Sequence, residues 1–404
     1  MKEKERTQGN GLRSNEGQAL VLSGGGARAA YQVGCLVAIA KALPSYRPQI
    51  LTGASAGAIN AVYLAAAKGS WQEAVDQLGT LWRNLSTARV YQTGITPILR
   101  RMLHWGLTFA SGGRLGDPDI HGMVDNAPLR DYLLQHLSQD AGGITGIQEN
   151  LSRGLLSALA VIATDYSSGR SVGWIEALDK HRSLGSQLDA RQGEIGVNHI
   201  MASAALPMFF PAAAVDGRWY GDGGIRLTAP LSPAMHLGAD RILAVSPRAT
   251  PLTPPNLGAS VYPSPSQIAG IMLNAIFLDL LDFDALQMQR INDLLARLPP
   301  SAHGDLRPVA VMVLRPQEDL GEVAREFEAD LPSAFRFFTG GFGGKDDPSA
   351  DALSMVNFEP GYLAALMDFG EQDTAQRMPE IEAFIRGEIE DQSQSRGQGE
   401  TWHR

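Results

Sequence analysis

The sequence predicts an α/β protein built on a mainly parallel sheet with helices on both faces. Three observations predict it. Short, almost wholly apolar runs alternate with helical patterns, as strands buried on both faces require. Two of those runs end in small-residue turns that lead straight into helices. The composition supplies a sizeable core, with 44% apolar and 19% charged residues over 404 positions.

The elements follow in order. Residues 1–17 are polar and charged, without periodicity, and are expected to form a tail outside the fold. "ALVLS" (19–23) reads as a buried strand leading into a helix from about Arg28 to Leu43. "QILTG" (49–53) reads as a second, leading into a helix from about Ala56 to Lys68. "LLSALAVIATD" (155–165), "RILAVSP" (241–247) and "PVAVMVLRP" (308–316) continue the strand series. In "AAAVDGRWYGDGG" (212–224), Asp216-Gly217 between two β-like runs marks a hairpin turn. A proline-rich segment (247–266) interrupts the alternation, a strongly helical pattern covers 267–298, and "FFTGGFGGKDDPSA" (337–350) is a second break. Because the strand near 308–314 can rejoin the sheet, one elaborated domain is expected over 18–375. It carries a Pro/Gly-rich and helical insertion at about 250–350, and a C-terminal helix and polar tail fill 376–404.

Charge and cysteine usage narrow the function. A formal charge of −9 argues against nucleic acid as a partner, since phosphate binders carry a basic patch. Cys35 is the single cysteine, so no intramolecular disulfide exists, and its apolar helix makes it a buried small hydrophobe. The N-terminal residues do not read as a signal peptide, and no stretch approaches the roughly 20 apolar residues of a membrane span. A soluble, cytoplasmic protein is expected, meeting membranes only from the surface.

The two turns carry the chemistry. Gly24, Gly26 and Ala29 match the dinucleotide fingerprint G-x-G-x-x-G/A. That reading needs an acid about 20 residues on for the ribose, yet no Asp or Glu lies between Glu16 and Glu73. No Gly-Lys-Ser/Thr follows either, so the loop is not a phosphate-binding Walker loop. Two uses remain for Gly24, Gly25 and Gly26. Their N–H groups can converge on an oxyanion at a helix N-terminus, with Arg28 helping to fix the loop, or the glycines only allow tight packing. The second turn, Gly53-Ala54-Ser55-Ala56-Gly57, is a G-x-S-x-G between strand and helix. In such a nucleophile elbow the serine projects from a strained turn, and small neighbours relieve backbone crowding. Ser55 is therefore the candidate nucleophile.

A serine needs a base. The chain has eight histidines, none in a motif that compels the role. Asp222, followed by Gly223 and Gly224, is the carboxylate alternative, and it also reads as a plain Asp-Gly turn. No His/Cys/carboxylate cluster has metal-ligand spacing, and no cofactor is implied.

Taken together, Gly-Gly-Gly-x-Arg, Gly-x-Ser-x-Gly and Asp-Gly-Gly in this order resemble a bacterial patatin-like phospholipase. "ASAALPMFFPA" (202–212) and "MVNFEPGYLAALMDFGEQDTA" resemble further blocks of that family, so the likeness runs from about Ala19 to Ala375. The resemblance implies a three-layer α/β/α sandwich and a Ser–Asp dyad. Ser55 would be the nucleophile, Asp222 its base, and Gly24–Gly26 the oxyanion loop supported by Arg28. The implied reaction is hydrolysis of fatty-acyl esters of lipids through an acyl-enzyme. Ala29 stands where the family usually has glycine, which bears on rate or acyl preference more than on reaction type. Acyl transfer on the same dyad, a Ser-His-Asp esterase and a lipid-binding protein with an idle serine are the competing readings. In "PILRRMLHWGLTF" (97–109), Leu99, Met102, Leu103 and Leu107 share one helical face opposite Arg100, Arg101 and His104. This is either an interfacial helix giving peripheral membrane contact or a cap packed on the core. Phe337, Phe338 and Phe342 are expected either to touch lipid or to cover the site.

Overall fold

The computed structural model describes residues 17–94, 122–137, 144–179, 183–249, 280–331 and 350–388, with isolated helical positions between them. Among the described residues, nine strands form one sheet: β1 (Gln18–Leu22), β2 (Ile50–Ala54), β3 (Ala158–Asp165), β4 (Arg170–Ala177), β5 (Leu188–Gln192), β6 (Ala213–Val215), β7 (Arg218–Asp222), β8 (Arg241–Val245) and β9 (Ala310–Leu314). The main path runs β5-β4-β3-β2-β1-β8-β9, parallel except where β4 meets β3. β9 does rejoin the sheet beside β8. β6 and β7 form the expected hairpin, with Asp216 and Gly217 both at positive φ, and β7 pairs antiparallel with the end of β3.

Ten helices are used below: α1 (Ala29–Ala42), α2 (Ala56–Ala66), α3 (Trp71–Arg83), α4 (Ala127–Leu137), α5 (Thr145–Ser152), α6 (Val197–Ser203), α7 (Leu280–Leu295), α8 (Ala350–Val356), α9 (Pro360–Gln376) and α10 (Met378–Arg386). Strand alternation sorts the core into two layers. Leu20, Leu22, Leu51, Leu159 and Val161 face a cluster with α1, α2, α3 and α9. Ala19, Val21, Ile50, Ala160 and Ile162 face the opposite cluster, which includes Leu281 and Met288 of α7. The result is a three-layer α/β/α sandwich. α1 is buried almost all round because α3 and α9 cover the side away from the sheet.

Three expectations need adjusting. The helical pattern at 267–298 is described as a continuous helix only over Leu280–Leu295. The first helix is preceded by a short 3-10 turn, Gly26–Arg28, which carries Arg28. In the 97–109 segment, Leu103 and Leu107 are 67% and 46% exposed, so they do not pack on a core. Arg101 instead turns inward, donating to the Gly122 carbonyl at 3.4 Å and pairing with Asp125 at 3.7 Å. Leu99, Met102, Phe337, Phe338 and Phe342 lie outside the described residues. Among the described residues, no helix is long and apolar enough to cross a membrane.

Candidate active site

β3 acts as a rail that brings the two candidate residues together. β2 pairs along it up to Ala54 opposite Ile162, and there β2 ends. On the next rung β7 begins to pair with β3, with Asp222 opposite Ala163. Ser55, one residue past the end of β2, and Asp222, the last residue of β7, therefore meet. Ser55 Oγ donates a hydrogen bond of 2.5 Å to Asp222 Oδ2.

Ser55 sits at φ 54°, ψ −132°, a conformation that costs a side-chain-bearing residue on the order of 1–3 kcal/mol. It caps α2 without a side-chain bond to the helix, because its hydroxyl is committed to Asp222. Its neighbours explain the small residues: a Cβ on Gly57 would lie 2.1 Å from the Leu22 carbonyl oxygen. The backbone N–H of Ser55 donates to Ser203 Oγ at 2.9 Å, and that hydroxyl donates to the Ile162 carbonyl at 2.6 Å. Ser203 lies in the 202–212 block singled out from the sequence. Its task has no local signal, because the bond spans two strands and the end of α6.

Asp222 is fully buried. Its Oδ1 accepts from the Gly224 N–H at 2.8 Å, its N–H donates to the Ala205 carbonyl, and its carbonyl accepts from Thr164 Oγ1. Burial pushes its carboxyl up to about 7, against the lowering pull of the bonds from Ser55 and Gly224. Among the described residues no histidine bonds to Ser55 or Asp222. His104, His136, His199 and His303 hold local partners, and His236 lies against Gly185. The described residues also contain no cluster able to hold a metal ion.

Gly24 lies directly against the serine, since a Cβ there would be 3.0 Å from Ser55 Cβ. Gly26, at φ 58°, could not carry a side chain: a Cβ would meet the Met355 carbonyl oxygen at 2.0 Å. Arg28 is buried, and its Nε donates to Ser354 Oγ at 2.6 Å, tying the loop to α8. Gly53 and Gly223 are likewise pressed against backbone, of α2 and of β3 respectively. All ten residues picked from the sequence thus converge on one end of the sheet.

From Ser55 a narrow apolar cavity runs between helices. Ile59 of α2, Trp82 of α3, Tyr132 of α4, Phe210, Met355 and Phe358 line it. Trp82 keeps its indole N–H satisfied by donating to Asn60 Oδ1 at 2.7 Å, so its ring can face the cavity without a buried orphan donor. None of this wall is evident from sequence spacing, because it joins residues far apart in the chain.

A strained serine on a strand-to-helix turn, in a mainly parallel sheet, beside a buried carboxylate and a glycine loop, defines an α/β protein of the nucleophile-elbow kind. Residues 20–235, more than half of the chain, match the model of the family described as patatin-like phospholipase. The chain belongs to that family of lipid-hydrolysing enzymes. No curated protein sequence matches it. Among solved structures it is similar to human GIVD cytosolic phospholipase A2 in complex with methyl gamma-linolenyl fluorophosphonate, at 13% identity and a TM-score of 0.46. That likeness covers 94% of this chain and 60% of the human one. VipD from Legionella pneumophila is similar at 13% identity and a TM-score of 0.34, covering 87% of this chain and 67% of VipD. ExoU in complex with SpcU from Pseudomonas aeruginosa shows 16% identity over 43% of each chain, with a TM-score of 0.20.

Proposed function

We propose that the protein is a metal-independent lipid acyl hydrolase using Ser55 as nucleophile and Asp222 as base. The hydrogen bond of 2.5 Å between them, at the mouth of an apolar cavity, carries this reading. Asp222 takes the hydroxyl proton as Ser55 Oγ attacks the ester carbonyl carbon. The carbonyl oxygen becomes an oxyanion facing the N–H groups of Gly24–Gly26, with the N-terminus of α2 adding its positive end. Collapse breaks the ester bond, and the departing alkoxide takes the proton from Asp222. Water then repeats the sequence on the acyl-enzyme and frees the fatty acid. The acyl chain lies along Ile59, Trp82 and Tyr132, where apolar walls replace water.

Assays of medium-chain p-nitrophenyl esters in the presence of chelator test this. Wild type should turn over. Ser55→Ala and Asp222→Asn should each lose about 10⁴-fold or more in kcat, as removal of a catalytic serine or its base does. An active Asp222→Asn beside a dead Ser55→Ala would overturn the dyad.

A further inference from the structure

Behind the dyad, in the core layer on the other face of the sheet from the apolar cavity, lies a second and smaller cavity. Ser23, Gly24, Thr52, Ala54, Gly224 and Leu227 are in its wall. Its volume of about 30 Å³ has room for two water molecules, since about 10–15 Å³ holds one. Thr52 is 2% exposed, and its Oγ1 is buried without a hydrogen-bond partner among the described residues. Valine has the same shape and suits a strand equally well, so a hydroxyl kept here calls for a partner. Ser23 Oγ donates to the Val245 carbonyl at 3.2 Å and keeps its lone pairs as acceptors. Water in this cavity therefore finds two hydroxyl groups in the wall. The apolar cavity offers nothing comparable, because its polar tips are already committed. Tyr132 donates its hydroxyl to the Leu81 carbonyl at 2.8 Å, and Trp82 its N–H to Asn60. A cavity walled in that way stays dry.

The small cavity reaches the dyad through residues without bulk. Neither Ser55 nor Asp222 lines it, but Ala54 is joined to Ser55, and the Gly224 N–H holds Asp222 Oδ1 at 2.8 Å. A Cβ on Gly24 would lie 3.0 Å from Ser55 Cβ and 3.7 Å from its Oγ, so at this point only a missing side chain parts the wall from the serine. The cavity thus ends one peptide bond from the nucleophile and one hydrogen bond from the base. Leu227 also lines a wider cavity with Ser171, Gln187 and Thr228 in its wall, a polar neighbour from which water is replaced.

We infer that this cavity holds water on Thr52 and Ser23 and supplies the molecule that cleaves the acyl-enzyme. Its catalytic role rests on the acyl-hydrolase reading. Once Ser55 Oγ carries the acyl group, Asp222 Oδ2 has lost its donor, and the chain fills the apolar side. Water arriving past Gly24 and Gly224 then donates to Asp222. Its oxygen bonds to the acyl carbon as its proton passes to the carboxylate. Collapse breaks the bond from that carbon to Ser55 Oγ, which takes the proton back, and the fatty acid leaves.

Competition between two acceptors tests the role. The full chain is given p-nitrophenyl octanoate with 1-butanol, an alcohol too large for the small cavity, and butyl octanoate is measured against octanoic acid. Thr52→Val should raise that ratio about tenfold by weakening the hold on water alone. Its first-turnover release of p-nitrophenol should stay within about twofold of wild type, and Thr52→Ser should restore the ratio. Mere disturbance of the dyad slows both acceptors alike, so an unchanged ratio in Thr52→Val would overturn the inference. High-resolution diffraction of the wild type tests the site itself and should place an ordered water within about 3.2 Å of Thr52 Oγ1. Density without water there would also overturn it. A wild type that releases no p-nitrophenol would instead sink the hydrolase reading and the water's catalytic role with it, while density at Thr52 would still report the site.

Discussion

At Ser55 a residue with a side chain is held at φ 54° because three neighbours fix it: its N–H to Ser203, its hydroxyl to Asp222, and Gly57 making room below. Asp222 bears the complementary cost. A carboxyl in full burial with only two hydrogen bonds to it prefers to be protonated, hence its rise to about 7. Two consequences follow with definite signs. The base must be ionised to act, so kcat/KM should climb with pH through about 7 and level off above it. The folded state holds the Asp222 proton more tightly than the unfolded chain does. Its contribution to stability is therefore complete below about pH 4 and is lost as pH rises through 7. Asp222→Asn, which cannot ionise, should gain stability relative to wild type between pH 4 and pH 8, by a few kcal/mol. Urea unfolding of both proteins at the two pH values measures it, and a constant difference would mean that Asp222 is not ionised against its surroundings. The serine and its base were legible from sequence because glycine and alanine at fixed offsets betray crowded turns. Ser203 was not, since a serine in a small-residue run carries no mark of the backbone group it meets.

Among the elements, the pairing that matters is a succession: β2 stops on β3 and β7 takes over on the following rung. The sequence reading found β2, β3 and the hairpin from apolar runs and an Asp-Gly turn. It did not find β4 or β5. "LDARQ" is polar at the sheet edge, and "RSVGWIEA" opens on a charge and carries an interior glycine, so neither shows the apolar run of a central strand. The glycine loop depends on an element still further away. α8 closes over it, with the Met355 carbonyl against Gly26, Ser354 on Arg28, and the Val356 carbonyl accepting from Tyr91 at 2.7 Å. Gly26→Ala should displace α8, because the new Cβ must move backbone rather than a flexible side chain, and φ 58° is unfavourable for alanine. A loss of about 2–4 kcal/mol is expected, with proteolytic cutting appearing near 350–357 and kcat falling. Unchanged unfolding and protease resistance would show that α8 does not hold the loop.

Over the whole molecule the folded unit outruns its family-matched segment. The match stops at residue 235, yet β8 is the central neighbour of β1, β9 extends the sheet beyond it, and α9 covers α1. The last described helix, α10, binds this architecture from outside. Gln18 at the start of β1 donates to the Ile385 carbonyl at 3.2 Å. Arg241 at the start of β8 donates to the Phe384 carbonyl at 3.2 Å and lies over its ring. Ile381, Phe384 and Ile385 are almost fully buried, and each such side chain contributes roughly 1.5–3 kcal/mol relative to exposure. Even discounted for partial burial in the unfolded chain, that is comparable to the roughly 5–15 kcal/mol by which whole domains are stable. Ending the chain after Arg377 should therefore lower stability by about 5 kcal/mol, although every residue of the candidate site is retained. Denaturant unfolding followed alongside ester hydrolysis separates the alternatives. Activity lost in step with the folded fraction is the expected result, because the sheet that aligns Ser55 with Asp222 melts as one unit. A truncated chain with an unchanged midpoint would make α10 an appendage, and the hydrogen bonds at Gln18 and Arg241 incidental to the fold.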